Sequence, residues 1–190
     1  QPIDPPTISM SFAVNNGPFA GKEGSKVTSR MIRDRLFREA ESNVAMKVKD
    51  GQTSDMFEVF GRGELQMSVL IETMRREGFE LCIGRPRVLF KTDEATGERL
   101  EPMEEVVVDV DQEHSGSVVQ KISMRKGEMI SMMPSGAGKV KMTFIAPTRG
   151  LIGYHGEFLT DTRGTGIINR LFHGYGPYKG DVTGRRTGVL

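Results

Sequence analysis

The chain has 190 residues, with 26 Lys+Arg against 25 Asp+Glu, so its formal net charge is +1. That length holds one large domain or two small ones, and 37% hydrophobic with 27% charged residues excludes a wholly disordered polar segment. Every apolar run is too short for the ~20 residues that cross a bilayer, and no basic stretch followed by an apolar one reads as a secretory signal.

After a proline-rich lead-in (Pro2, Pro5, Pro6), the stretch 7–14 alternates, with Ile8, Met10, Phe12 and Val14 on one side. This predicts a half-buried strand. Asn15 to Lys26 reads as a glycine-rich loop. A helix follows from the caps Thr28 and Ser29, with Ile32, Leu36 and Ala40 four residues apart. Val44, Met46 and Val48 predict a second strand, and Asp50-Gly51 turns into a third over 56–60. Gly61-Arg62-Gly63 leads to a helix carrying Met67, Leu70, Ile71 and Met74, ended by Gly78. Leu81 and Ile83 begin a fourth strand, interrupted at Pro86 and resumed over 88–90. The order is βαββαβ.

The polar segment 92–103 reads as an exposed linker, after which the order repeats. Val106, Val108 and Val110 form a strand, and Ser115 caps a helix with Val118, Val119 and Ile122, closed by Gly127. Residues 129–133 form a short strand, 134–138 a turn, and Val140, Met142 and Phe144 the next strand. Leu151, Tyr154, Phe158 and Leu159 fit one helix face, and 167–172 is the last strand. Two βαββαβ units predict an α+β protein of two tandem ferredoxin-like sandwiches, each an antiparallel sheet covered by two helices. The expected boundaries are residues 1–91 and 104–178, with 179–190 opening something further.

Several motifs fail on inspection. A phosphate loop ending at Gly138-Lys139 needs Gly at 133 and a hydroxyl at 140, where Met133 and Val140 stand. Gly21-Lys22 lacks the same partners, having Asn16 and Glu23. Gly61-Arg62-Gly63 has Gln66 where a dinucleotide fingerprint needs glycine, so these glycines read as a tight strand-to-helix turn. Asp109 and Asp111 alternate with valines, which puts them on a strand's solvent face. His114, His155 and His173 stand far apart and fit no metal motif. The single cysteine, Cys82, excludes an internal disulfide framework and predicts a reducing, cytoplasmic setting.

Charge is unevenly spread. Residues 1–120 hold 15 Lys+Arg and 21 Asp+Glu, whereas 121–190 hold 11 and 4. Such asymmetry predicts a polyanion-facing surface in the second half. The candidate RNA-binding residues are Lys139 and Lys141 on one strand face, Arg149 and Arg163 in glycine-containing turns, and Arg185-Arg186 near the end. Tyr175 and Tyr178 are available for base stacking.

The stretches Pro6-Thr7-Ile8-Ser9-Met10-Ser11-Phe12 and Asn15-Asn16-Gly17-Pro18-Phe19-Ala20-Gly21-Lys22-Glu23-Gly24 resemble the BipA/TypA family of translational GTPases. So do Gly61-Arg62-Gly63-Glu64-Leu65, Met74-Arg75-Arg76-Glu77-Gly78, Arg149-Gly150-Leu151-Ile152-Gly153, and Arg185-Arg186 with Gly188-Val189-Leu190. The two units then resemble the third and fifth domains of elongation factor G. The resemblance implies a GTPase domain and a β-barrel domain before Gln1, and a family-specific C-terminal domain where this chain ends. GTP and magnesium are expected in the preceding domain, so this segment is expected to hold no cofactor and to do no catalysis. The implied partners are the ribosome and its RNA near the stalk base and the sarcin–ricin loop, bound by a monomer with no membrane association. Two departures stand out: Gln66 replaces an expected histidine, and Tyr154-His155 replaces an expected Phe-Arg. Two rival readings remain open, a tandem ferredoxin-like ligand-sensing or dimerisation module and a small enzyme of acylphosphatase type.

Overall fold

The computed structural model describes residues 5–14, 29–53 and 55–180. The loop expected over 15–26, the cap Thr28 and the pair Arg185-Arg186 lie outside the described residues. The chain divides into two compact units, 1–89 and 90–190.

In the first unit, β1 (Ile8–Val14) leads to α1 (Ser29–Ser42), β2 (Lys47–Asp50), β3 (Met56–Gly61), α2 (Glu64–Arg76), β4 (Leu81–Ile83) and β5 (Arg87–Val88). The sheet order is β2-β3-β1-β4, with β5 also on β1, and the pairings are antiparallel. Alternation in β1 sends Ile8, Met10 and Phe12 to the helix side, where Ile32, Leu36, Met67, Leu70 and Met74 meet them in one core. A Cβ at Gly61 would stand 2.6 Å from Gln66 Oε1 and 2.8 Å from Met67 Cε, so these two flexible side-chain ends pack directly on its bare backbone. Gln66 uses that oxygen to accept the Arg62 amide at 2.9 Å, which ties the turn to the helix. The second strand starts at Lys47 rather than Val44. Asn43 makes an Asx turn, accepting the Ala45 amide at 3.1 Å, so Val44 swings out and Met46 drops into the core.

The second unit begins with β6 (Lys91–Thr92) and β7 (Arg99–Asp111), followed by α3 (Ser115–Met124), β8 (Glu128–Gly136), β9 (Lys139–Pro147), the single turn α4 (Thr148–Leu151), α5 (Tyr154–Asp161) and β10 (Ile167–Pro177). The order β10-β7-β9-β8, with β6 on β7, repeats the first sheet's arrangement. Val106, Val108, Val110, Met142 and Phe144 face Val118, Ile122, Leu151, Tyr154 and Phe158 in a second core. Both units are ferredoxin-like, as the element order predicts.

Three expectations change here. Residues 91–100 form a hairpin rather than a linker: Lys91 pairs with Leu100, Thr92 with Arg99, and Gly97 donates to the Asp93 carbonyl at 2.7 Å. The expected helix over Leu151–Leu159 is broken at Gly153, whose φ of 81° lies in the left-handed region. β8 extends through Pro134 because it is the sheet's edge and its register shifts between Pro134 and Gly136, so that position owes no ladder donor.

Candidate nucleic-acid interface

The basic residues of the second unit divide into those consumed by the fold and those left open. Arg149, on α4, is consumed. Its Nε donates to Glu101 Oε1 at 2.8 Å and its NH2 to Glu101 Oε2 at 3.3 Å. The same NH2 donates to the Gly180 carbonyl at 2.6 Å, and the guanidinium lies 4.4 Å from the centre of the Tyr178 ring. Glu101 is fully buried, and its Oε2 also accepts the Lys179 amide at 2.7 Å. Burying that carboxylate is tolerable only because the fork satisfies it.

Arg170, on β10, is held the same way by buried Glu104, with bonds of 2.7 and 3.1 Å. Arg125, just past α3, donates to the carbonyls of Gly150 and Ile152 at 2.8 and 3.0 Å and to Glu157 Oε2 at 2.8 Å. It thereby satisfies the carbonyl end of α4. Gly150 is required against it, since a Cβ there would fall on the Arg125 carbonyl.

Lys139 sits 3.8 Å from Asp111, whose second oxygen is 3.4 Å from the Thr165 hydroxyl. Lys141 is exposed and stands opposite Asp109 in the β7–β9 register, while Asp109 accepts from the Ser135 hydroxyl at 2.9 Å. Arg163 is exposed in the turn after α5, with φ of 54°. Lys139 and Lys141 thus share one strand, while Arg149 and Arg163 lie at opposite ends of the α4–α5 segment.

The charge asymmetry has a structural explanation. Counted by folded unit, residues 90–190 contain 13 Lys+Arg and 13 Asp+Glu. The cut at residue 120 runs through the sandwich and separates the acids of β7 from the cations they bind. The positive charge of residues 121–190 is therefore offset, within the same folded unit, by the acids of residues 90–120.

Sequence reasoning passed over a cation–aromatic cluster at the hairpin. The Arg99 guanidinium lies 3.9 Å from the Phe90 ring centre and 4.7 Å from that of Tyr178. The two rings meet edge to face at 5.8 Å. Beside them, Lys91 Nζ is 4.3 Å from the Tyr175 ring centre, and Tyr175 meets Phe172 at 5.5 Å. Phe90-Lys91 and Arg99 fell in or beside the supposed linker; the alternation of rings and cations was the available signal.

Residues 98–186 match the family model described as elongation factor G C-terminus. The chain is 50% identical over 189 residues to the large ribosomal subunit assembly factor BipA of Salmonella typhimurium, covering 99% of this chain and 31% of that protein. The same identity and coverage hold for the protein of that name in Bacillus subtilis, and 48% identity for that of Haemophilus influenzae. The chain thus spans about a third of the length of these relatives. A crystal structure from Thermus thermophilus superposes with a TM-score of 0.59 at 12% identity, covering 97% of this chain and 43% of the other, which speaks to the fold alone.

Proposed function

The chain belongs to the BipA/TypA family, and from that premise we propose that it is a non-catalytic ribosome-docking segment of a translation factor acting in large-subunit assembly. The observation that carries this reading is the 50% identity along 99% of the chain to proteins named as large ribosomal subunit assembly factors. On this reading the two units correspond to the third and fifth domains of elongation factor G, and GTP with magnesium binds in a preceding domain. The segment works as a cytoplasmic monomer, and its RNA contacts lie near the stalk base and the sarcin–ricin loop. Lys141 and Arg163 are the candidates with exposed head groups, and Lys139 can exchange its long Asp111 contact for a phosphate. Arg149 acts by positioning, since its fork is filled by Glu101. Arg185 and Arg186 extend the candidate set beyond the described residues.

Co-sedimentation with purified ribosomal subunits tests this. The chain should pellet with large subunits in preference to small ones, and the double variant Lys141→Glu/Arg163→Glu should weaken binding several-fold. Lys47→Glu/Lys49→Glu, in the other unit, should leave it unchanged. Equal pelleting with both subunits, or with neither, would sink the reading. A calorimetric titration with GTP and magnesium should give no heat; micromolar binding would contradict the assignment of the nucleotide site to another domain.

A further inference from the structure

The arginines of the second unit supply a contrast. Arg125, Arg149 and Arg170 each direct their N–H groups at carboxylates or carbonyls of the fold. Arg99 is oriented as firmly, between Phe90 and Tyr178, yet among the described residues its side chain donates no hydrogen bond and makes no ion pair. Its backbone is pinned as well, because the Tyr178 amide donates to the Arg99 carbonyl at 3.1 Å. A guanidinium clamped by rings has already lost its rotamer freedom while all five N–H donors stay free. That arrangement is built for an acceptor from outside. Arg149, on the Tyr178 ring as well, shows the alternative, with its fork spent on Glu101.

We infer that Arg99 and Lys91, with the rings of Phe90, Tyr175 and Tyr178, form a binding site for an unpaired nucleotide of RNA. The Arg99 fork takes the phosphodiester, and Lys91, 4.3 Å from the Tyr175 ring centre, supplies the second charge. A base stacks against the cation–ring layer, which suits single-stranded RNA because every base has a π face. Among the described residues no acid forms an ion pair with Arg99 or Lys91. Glu94 and Glu98 are exposed, Glu101 is occupied by Arg149 and the Lys179 amide, and Asp93 accepts the Ala95 amide with its carboxylate and that of Gly97 with its backbone carbonyl. The inference rests on the docking reading for its biological setting, and to the two tyrosines open to stacking it adds Phe90, Lys91 and the ring-clamped Arg99 as one site.

The chain reports on its own site, since it has no tryptophan and only three tyrosines. Tyr154 is fully buried, so ligand-dependent quenching of tyrosine fluorescence comes from Tyr175 and Tyr178. Titrating the full chain with a single-stranded RNA of about 12 nucleotides should quench that emission. Arg99→Gln should weaken binding about tenfold or more, and Arg99→Lys, which keeps the charge but not the flat fork, should fall between. Melting curves establish that the variants fold, and Lys91→Gln provides an independent loss should Arg99→Gln fail to fold. Poly-glutamate is the counter-probe. Wild-type affinity in Arg99→Gln or Lys91→Gln, no quenching by RNA, or equal quenching by poly-glutamate would each overturn the inference. Sedimentation of the wild-type chain with large subunits is read separately, so docking can stand while this site fails.

Discussion

Tyr154 shows how much a single side chain can conceal from pattern reading. Its ring belongs to the second core, as the apolar spacing on its helix predicts, but its hydroxyl has no hydrogen-bond partner among the described residues. Burial pushes the phenol well above its usual 10.0, Asp161 adds to the shift and Arg125 opposes it. An acid whose folded pKa is raised stays protonated in the fold, so its stabilising contribution is complete below about pH 10 and is lost as pH climbs past that value. Tyr154→Phe should therefore be neutral or stabilising by up to about 1 kcal/mol at pH 7, because an unpaired buried hydroxyl is removed. It should also flatten the alkaline loss of stability. Urea midpoints at neutral and alkaline pH check both, and a loss larger than about 1 kcal/mol at pH 7 would mean the hydroxyl is satisfied after all. Arg35 is the parallel case in the first unit. Ile32 and Leu36 marked the buried face of α1, but nothing in the spacing announced that Arg35 between them is buried with Glu77 at 2.7 Å and Glu39 at 2.8 Å. Hydrogen bonding to Glu77 holds that guanidinium above its ordinary pKa despite the opposing cost of burial.

Among the elements, β7 was the hardest to see and the most informative. Val106, Val108 and Val110 gave its second half away, whereas Arg99, Glu101 and the polar residues before them made its first half look like solvent-exposed linker, and nothing marked Glu104 as buried. Both acids are buried because Arg149 and Arg170 reach them from elsewhere in the chain, and a pairing across 48 or 66 residues leaves no local signature. The shorter differences have local causes, namely the Asx turn at Asn43 and the left-handed Gly153. The pairing also changes what charge reversal at Arg149 measures. Arg149→Glu sets a second carboxylate against a fully buried one, and removing one partner of such a pair typically costs about 3–5 kcal/mol. Arg163→Glu, on an exposed turn, should stay within about 0.5 kcal/mol of wild type. Chemical denaturation separates them; equal stabilities would mean that the Glu101 pair contributes nothing to the fold. The hairpin makes a related prediction. Both its basic residues sit in the β6–β7 ladder, so trypsin should cleave slowly after Lys91 and Arg99, while a Glu-specific protease should cut after Glu94 in the turn.

For the molecule as a whole, the repeated strand order and the two separate cores were legible from periodicity alone, because each buried stripe is set by residues close in sequence. Surface charge was not, because sign counts along a chain ignore which residues the fold brings together. With 13 cations and 13 anions in residues 90–190, long-range attraction to RNA is weak there, and binding must rest on the few exposed cations without a carboxylate partner. Within the described residues of that unit these are Lys91, Arg99, Lys141 and Arg163. Each phosphate neutralised contributes about −0.7 to −0.9 to the slope of log affinity against log salt, so these four contacts give a slope near −3, and adding Lys139, Arg185 and Arg186 takes it to roughly −5 to −6. The eleven Lys+Arg of residues 121–190 would give roughly −8 to −10 if all of them met phosphate. Co-sedimentation with large subunits across a salt series reads the slope directly. Arg99→Gln and Lys141→Gln should each lower its magnitude by about one contact's worth, and Arg149→Lys should leave it alone because Glu101 still neutralises that position. A slope steeper than about −6 would show that the paired arginines release their carboxylates on the ribosome, and the division between structural and open cations would then be wrong.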